Sequence, residues 1–418
     1  MRFILFAAGL ILAALVGKPW LVLDAFQRTL GRGDVIGPIC SAMGYAFVLK
    51  ATGADKDMVR LLTQPIRHIR WLLVPGGCAI GFCTNMAITS QTASAAAVGP
   101  ILIPLMIASG YSPLAAAATL LVGCSIGGNL FNPGEPDIVA IRSAVNVDIG
   151  GVVNMAVLPN ILSFVVAVAA LVLVIRRGGH SGSSVLTDAD TSDAPMTQRE
   201  LIRALLPPLP ILLLLLLQPG LGLVPPLLEL YPQGVHVSSV MVLCTAIVML
   251  STLADPRQAA KHLTRLTTDF FEGMGYAFTK VISLILAAAC FLAGLDAIGA
   301  IQKITALLAY DGTVATLLSP TLTWGLAVVS GSGTAPSVAF SQAVLPGIVL
   351  ANGTSMAITL GVLGAIGASI GRTMSPVSAI TLFTSTLAAV DPKDLVKLVS
   401  LPLIAALLCT ILYGLVVQ

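Results

Sequence analysis

Apolar residues in this chain are gathered into long runs, separated by short stretches of polar and charged residues. Most runs reach the ~18 to 25 residues that a helix needs to cross a bilayer. The pattern predicts nine membrane spans, near residues 2–17, 33–52, 112–141, 150–175, 201–224, 236–254, 276–298, 355–386 and 395–417. We therefore predict an all-α protein that crosses a membrane many times.

Two further apolar regions, 71–108 and 313–350, are too long for one span, and each has a centre rich in Ser, Thr and Gly. We interpret both as re-entrant hairpins, which enter and leave the membrane on the same side. Their tips share an S-x-T-A motif that is followed by an equally spaced proline. The matching positions lie 242 residues apart: Ser90-Gln91-Thr92-Ala93 with Pro104, and Ser332-Gly333-Thr334-Ala335 with Pro346.

Each hairpin is followed by a span that glycine and proline interrupt. Ser125-Ile126-Gly127 recurs as Ser369-Ile370-Gly371, and Pro133 recurs as Pro376. An odd number of predicted crossings separates corresponding spans, so the second half has the inverted orientation of the first, as in many secondary transporters. We predict a first inverted repeat over 1–177 and a second over 199–418, joined by a flexible polar linker over 178–198. The first repeat is one span short, because no segment before 2–17 corresponds to 201–224.

The distribution of basic residues gives the predicted sidedness. Cytoplasmic loops carry an excess of Lys and Arg. Of the 22 Lys and Arg residues, Lys280 and Arg372 are assigned to neither face, five fall on one face and the remaining fifteen on the other, where those at the very ends of predicted spans are counted with the adjacent loop. The five are Lys18, Arg28, Arg32, Arg142 and Lys303. The bias predicts a bacterial inner-membrane protein with a cytoplasmic N-terminus and an external C-terminus. Segments 54–70 and 297–310 mix charged and apolar residues at helical spacing and are predicted to lie along the membrane surface.

Composition excludes several other functions. Hydrophobic residues make up 56% of the chain, charged residues only 10%, and the mean hydropathy is +0.96. The net charge of +3 is spread over the loops, which gives no indication of nucleic-acid binding. The seven cysteines and four histidines form no CxxC or HExxH motif, so no structural metal or metal-dependent enzyme is expected.

The candidate site lies in the two interrupted spans and the hairpin tips. Irregular backbone within a membrane must be buried by protein or line a cavity. Broken helices there present free N–H groups to anions and free carbonyls to cations. The stretches Gly123–Asp137 and Gly367–Pro376 are predicted to break their spans, and they contain three charged residues, Glu135, Asp137 and Arg372. Buried charges at this depth are costly and usually functional.

These residues predict a transporter of small organic anions. Arg372 is expected to hold a carboxylate by two parallel hydrogen bonds. The predicted substrate-binding residues are Ser90, Gln91, Thr92, Asn132, Ser332, Gly333, Thr334, Arg372, Thr373 and Ser375. The predicted residues for coupling to Na⁺ or to a proton are Asn85, Thr89, Gly128, Asn129, Glu135, Asp137 and Ser330. No cofactor is expected beyond the coupling ion. The alternative reading is that small residues only allow close helix packing and that Arg372 forms a structural ion pair.

Four stretches carry a resemblance to a known family: SQTASAAAVGPILIP, GNLFNPGEPDIVAI, SGSGTAPSVAFSQAVLP and GRTMSPVSAI. They resemble the hairpin-tip and broken-helix motifs of the DcuC type of anaerobic four-carbon dicarboxylate carrier, within the ion transporter superfamily. The resemblance implies a homodimer in which a transport domain moves against a fixed scaffold, an elevator mechanism. It also implies fumarate, succinate or malate as the substrate. The tips read SQT and SGT where the sodium-coupled branch has SNT, which leaves the coupling ion open.

Two other functions stay open from the sequence. A transporter of the same fold could carry another organic anion, such as citrate or an aminobenzoyl-glutamate-like compound. An intramembrane enzyme would need Glu135 and Asp137 to face one cavity as an acid pair. The second interrupted span has no matching acid, which argues against the enzyme.

Overall fold

The computed structural model describes residues 2–65, 69–179, 196–217, 235–252, 259–300, 303 and 311–417. Within these residues the chain is helical and contains no strand. Its α-helices run over Arg2–Leu15, Trp20–Leu30, Gly33–Thr52, Ala54–Thr63, Leu73–Ala87, Gln91–Ala108, Pro113–Ser125, Pro136–Val145, Ile149–Arg177, Gln198–Ala204, Leu209–Leu216, Val237–Ser251, Ala259–Ala277, Ser283–Ala297, Gly312–Ser330, Thr334–Asn352, Thr354–Thr373, Ala379–Ala388 and Pro392–Val417.

In the described residues, nine helices are long and apolar enough to cross a membrane. They are not the nine predicted. Six fall on predicted spans, and three are arms of the predicted hairpins: Gln91–Ala108, Gly312–Ser330 and Thr334–Asn352. Segments 2–17 and 236–254 form shorter apolar helices. The number of crossings and the sides of the termini stay predictions.

The sequence interpretation was wrong at three other places. Residues 18–32, assigned to a loop, contain the helix Trp20–Leu30. Residues before 276, also assigned to a loop, form the helix Ala259–Ala277, which continues through the π-helical turn Phe278–Ile282. Segment 201–224 is not one span, because Pro207 and Pro208 separate two short helices. Its end, residues 218–224, lies outside the described residues, as do most of the linker 178–198 and of segment 297–310.

Both predicted hairpins form helix pairs with tight tips. In the first hairpin (Leu73–Ala87 and Gln91–Ala108), Gly77 contacts Leu102, which lies equally far beyond the tip. In the second hairpin (Gly312–Ser330 and Thr334–Asn352), Ser319 and Phe340 from the two arms both contact Gly364. The chain therefore folds back on itself at residues 88–90 and 331–333.

The buried apolar residues form separate clusters. The largest cluster contains residues between Val59 and Ile175 and between Ala315 and Ile411, and none from 196–297. It joins the hairpins, the interrupted spans and the helices Ile149–Arg177 and Pro392–Val417. We call all of these elements together the core bundle. A second cluster joins Gly33–Thr52 to Val237–Ser251 and Phe270. These helices, with Arg2–Leu15 and Ala259–Ala297, form the flanking bundle.

A third, smaller cluster lies between the two bundles. It packs Val139 and Ala140 of the first interrupted span, with Val338 of the second hairpin, against Ile39 and Ile285 of the flanking bundle. The two bundles therefore have interiors of their own and meet over a limited apolar surface.

Candidate substrate site

The first interrupted span is broken by its own sequence. Ser112 caps its first helix, Pro113–Ser125, and Pro113 occupies the first helical position. The helix ends after Ser125, and Gly127 has a φ of +91°, a conformation that favours glycine. A short 3₁₀ turn, Gly128–Phe131, follows, and the second helix begins at Pro136. About ten residues of irregular backbone thus lie inside the core bundle, where each is buried or half-buried.

The first hairpin tip is bound to this break. The Asn129 backbone N–H donates to Oδ1 of Asn85 at 3.0 Å, and the Asn132 side-chain amide donates to the Met86 carbonyl at 2.9 Å. Gly128 lies so close to the hairpin that a Cβ would be 2.5 Å from the Phe82 carbonyl oxygen. The predicted residues Asn85, Gly128, Asn129 and Asn132 are therefore brought together.

Ser90, Gln91 and Thr92 lie at the same tip, at the start of the second arm. Ser90 caps the second arm by accepting from the Ala93 N–H at 3.4 Å. Gln91 and Thr92 are half-buried, and Thr89 is buried. Among the described residues, no hydrogen bond joins any of these four to Arg372. The first hairpin tip and Arg372 are therefore not in direct hydrogen-bond contact in the described structure.

The second hairpin tip lies against the second interrupted span. Gly331 has a φ of +69° and approaches the backbone of Val377 and Ser378. The Ser332 backbone N–H donates to Ser330 Oγ at 3.3 Å, and Ser332 Oγ accepts from the Ala335 N–H at 3.4 Å. Gly333 lies directly against the guanidinium of Arg372, and a Cβ there would be 2.8 Å from Nη1. Thr334, half-buried, begins the second arm.

The break in the second span lies later than predicted. Gly367 and Gly371 sit within a continuous helix that ends at Thr373, and the irregular segment is 374–378. A Cβ on Gly367 would clash with the Pro320 carbonyl, and one on Gly371 with the Trp324 carbonyl. These two glycines, four residues apart, therefore allow close packing against the first arm of the second hairpin, which is the alternative reading for them.

Arg372 lies at the junction of the two halves of the chain. Its side chain is 5% exposed. Nη2 donates to the Ser125 carbonyl at 2.9 Å, and Nε donates to Ser125 Oγ at 3.4 Å. Thr373 donates to the same Ser125 Oγ at 2.8 Å. A cation at the end of a helix is favourable because free carbonyls and the negative end of the dipole lie there.

Glu135 and Asp137 are 2% and 1% exposed, and the charge of Arg372 acts on both. In the described part of the chain, however, no ion pair within 4.0 Å joins either acid to Arg372. Asn129 lies beside Glu135 and Ser337 beside Asp137, without good hydrogen-bond geometry. Among the residues that the structure describes, Glu135 Oε2, Asp137 Oδ1 and both side-chain polar atoms of Asn129 therefore have no hydrogen-bond partner. An unpaired polar group in the interior costs free energy because it has lost its hydrogen bonds to water. Several such groups in one place are typical of a binding site rather than of a packed core.

Other residues of this region were missing from the sequence prediction. Ser125, seen only as a repeat position, binds Arg372. Asn160 donates to the Gly127 carbonyl at 2.6 Å from the helix Ile149–Arg177. Its signal was an amide side chain within an apolar span, which Asn154 of the same span shares. The hydroxyls of Ser337 and of the predicted Ser375 are buried and have no hydrogen-bond partner in the described part of the chain. No cluster of three or more His, Cys, Asp or Glu that could hold a metal occurs in the described residues.

Comparison with known proteins identifies the family of this chain. The family model for the C4-dicarboxylate anaerobic carriers, DcuC, matches residues 24–418. The chain belongs to the DcuC family. The anaerobic C4-dicarboxylate transporter DcuC of Escherichia coli K12 is 26% identical over 390 residues, which cover 91% of this chain and 80% of that protein. Its counterpart in Shigella flexneri matches to the same extent. Membership of this family makes the chain a transporter and not an enzyme.

A solved structure supports the fold. The YdaH transporter of Alcanivorax borkumensis, described as having an unusual topology, superposes with a TM-score of 0.62. The match covers 94% of this chain and 86% of that one, at 17% sequence identity. The long apolar helices and the family together identify a multi-pass membrane protein.

Proposed function

We propose that this chain transports four-carbon dicarboxylates such as fumarate, succinate or malate, and that Arg372 binds one of the two carboxylates. The observation that carries the proposal is the buried Arg372 guanidinium, which contacts Ser125 and Gly333 yet forms no ion pair within the described residues. A carboxylate can accept two parallel hydrogen bonds from a guanidinium, and this fork suits arginine better than lysine. The two relatives from Escherichia coli and Shigella flexneri, both C4-dicarboxylate transporters by name, support the substrate class.

The second carboxylate would be held by groups around the two breaks. Ser375 Oγ, Ser337 Oγ and the Asn129 side-chain amide are buried and find no hydrogen-bond partner within the described ranges. The hairpin tips add the hydroxyls of Ser332 and Thr334. In this proposal the two breaks supply amides and hydroxyls, and the arginine supplies the charge.

Charge balance supports coupling to cation movement. The site has one fixed cation, Arg372, and two acids, Glu135 and Asp137, all of them buried. A bound dianion would add two further negative charges in a poorly solvated place, which is unfavourable unless protons or Na⁺ neutralise the acids. We propose that substrate binds together with cations, or that the carrier exchanges one dicarboxylate for another.

An elevator mechanism is the transport mode that we propose. The separate apolar interiors of the core and flanking bundles support it, because each bundle can then move as a unit. The proposal includes a homodimer, an inner-membrane location and a cytoplasmic N-terminus. A reporter fused after Gln418 should be external and one inserted at Ser184 cytoplasmic. If both report the same side, the predicted topology is wrong.

Uptake of labelled succinate into proteoliposomes tests the function. Gradients of Na⁺, of protons, or internal unlabelled succinate are imposed separately. Saturable uptake that citrate does not inhibit supports a four-carbon carrier. Efficient citrate transport with no succinate transport would instead indicate another organic anion. Uptake that ignores both gradients and requires internal dicarboxylate would indicate exchange and exclude symport.

A further inference from the structure

A cavity lies outside the site described above, where the core and flanking bundles meet. Its volume is about 300 Å³, near the lower end for small-molecule pockets. The core bundle contributes Val139 and Arg142, and the flanking bundle contributes Pro38, His236 and Ser238. Since both bundles line it, any movement of one bundle against the other changes its shape.

Arg142 contributes the positively charged side chain of this cavity. The residue is half-buried in the last turn of the helix Pro136–Val145. In the described part of the chain, no acid lies within 4.0 Å of its guanidinium. Asp148 also lines the cavity, but its Oδ2 accepts from the N–H groups of Gly150 and Gly151 at 2.9 and 3.3 Å. Asp148 keeps its negative charge in the lining, but its carboxylate is engaged at its own helix start and forms no ion pair with Arg142. Among the described residues the guanidinium N–H groups of Arg142 are therefore available as donors to an anion.

The start of the helix Val237–Ser251 strengthens the preference for an anion. His236 occupies the capping position, and both Val237 and Ser238, the first two helical residues, line the cavity. The Ser239 and Val240 N–H groups already bond to the His236 carbonyl. The N–H groups of the first helical turn carry the positive end of the helix dipole.

The position of the cavity relates it to the substrate site. Arg142 follows Asp137 by five residues on one helix, which places it about 7.5 Å further along the axis. The cavity between the two bundles therefore has its cation about one and a half helical turns from the buried acid Asp137. Such a space can collect a dianion before it reaches Arg372, or receive it afterwards, because fixed positive charge in a cleft raises the local anion concentration.

We propose that this cavity is a second, weaker binding site for small dicarboxylates, in which Arg142 provides the charge. The proposal rests on the proposed function of the chain. It predicts that occupancy of this cavity depends on Arg142 and is independent of Arg372.

Protection of an engineered thiol tests the proposal directly. Val235 lines the cavity and is half-buried. Val235→Cys is made in a chain in which Cys83 and Cys409 are replaced by alanine, because these two native thiols are not buried and could react themselves. Labelling by a small neutral maleimide is followed while succinate is added, and succinate uptake by the same protein is measured in parallel. We expect succinate to slow labelling.

Two further variants separate the cavity from the substrate site. Protection should persist in Arg372→Ala, whereas Arg142→Gln should raise the succinate concentration for half-protection at least tenfold. Arg28→Gln, an exposed cation on the helix Trp20–Leu30, is the matched control and should change nothing. Loss of protection in Arg372→Ala with normal protection in Arg142→Gln would assign the effect to the substrate site and overturn the proposal.

Other outcomes are equally decisive. If the thiol introduced by Val235→Cys never reacts, solvent does not reach the cavity, and the proposal fails. Equal protection by inorganic phosphate would show that the cavity has no preference for dicarboxylates, which also overturns it. If the protein transports succinate but succinate does not protect the thiol at position 235, the binding site in the cavity is excluded and the proposed function is not. A protein that transports no dicarboxylate rejects the proposed function instead.

Discussion

The Arg372 guanidinium donates to the backbone carbonyl of Ser125 at 2.9 Å, across 247 residues of sequence. Ser125 ends the first helix of one interrupted span, and Arg372 lies one residue before the end of the first helix of the other. One side chain therefore joins the first helices of the two interrupted spans, and its outer edge lies against the second hairpin tip. This contact allows the binding role of Arg372 to be separated from a purely structural role.

Arg372→Lys should lower succinate transport at least tenfold while the protein still inserts and purifies with its normal oligomeric state. Lysine keeps the charge but cannot provide the fork that holds a carboxylate. A structural ion pair predicts another result: Arg372→Ala would leave an acid unpaired, and Glu135→Gln or Asp137→Asn would then restore folding and transport. We expect no such rescue. Unchanged succinate affinity in Arg372→Lys, or recovery in a double variant, would remove Arg372 from the substrate site.

Much of the fold follows from the sequence because the strongest apolar runs and the repeated tips are local features. The predicted span 33–52 coincides with the helix Gly33–Thr52. Helices with one polar face were missed. In Ala259–Ala277 the buried Leu266, Phe270 and Ala277 recur at helical spacing, but charged residues between them lower the average hydropathy.

The contacts of the site were harder to predict than its location. Glycine, serine and proline mark both interrupted spans, yet the same residue types serve turns, caps and close packing. Gly127 has a positive φ at a helix end, whereas Gly371 is inside a helix and packs on Trp324. The contact of Arg372 with Ser125 depends on tertiary folding, and no local sequence pattern predicts it.

Glu135→Gln should keep succinate–succinate exchange and lose accumulation driven by a cation gradient. During exchange the carrier is loaded in both directions, so the acid has no need to release its proton or Na⁺. Net uptake requires that release, and a permanently neutral amide cannot provide it. Exchange and gradient-driven uptake are measured in the same proteoliposomes, with Glu272→Gln as a control at an exposed acid. Unchanged gradient-driven accumulation in Glu135→Gln would exclude this residue from coupling.

Two ion pairs connect the helix Ala54–Thr63, next to the first hairpin, to the helix Gln198–Ala204. Arg203 Nε lies 2.8 Å from Asp57 Oδ2, and Arg60 Nη1 lies 3.3 Å from Glu200 Oε1. Met58 of the same helix packs against Ala87 and Ile88 at the hairpin. Because the side chains of Asp57 and Arg203 are partly exposed, their pair should contribute only about 0.2 to 1 kcal/mol to stability.

A double-mutant cycle of Asp57→Ala and Arg203→Ala should therefore give a coupling energy within that range at alkaline pH. Burial raises the pKa of Asp57, although the charge of Arg203 opposes the shift. As pH falls through this raised pKa, the carboxyl becomes neutral and the coupling should disappear. The cycle is measured by denaturant unfolding in detergent at several pH values. Additive effects at alkaline pH, or coupling that grows on acidification, would contradict the ion-pair account.

Gly333→Ala provides the closest test of the geometry around Arg372. The added Cβ would lie 2.8 Å from Nη1 and 3.2 Å from the Ala368 carbonyl, so either the guanidinium or the hairpin tip must move. If Arg372 binds substrate, this shift should raise the KM for succinate at least tenfold, which corresponds to about 1.4 kcal/mol of lost binding. Gly325→Ala is the matched control, because a Cβ at Gly325, on the first arm of the same hairpin, would meet no atom within 4 Å. It should leave KM unchanged. Both variants are compared by initial rates of labelled succinate uptake and by thermal stability in detergent. A Gly333→Ala protein with normal stability and normal KM would show that the guanidinium can shift without affecting the substrate, and the assignment of Arg372 would then be untenable.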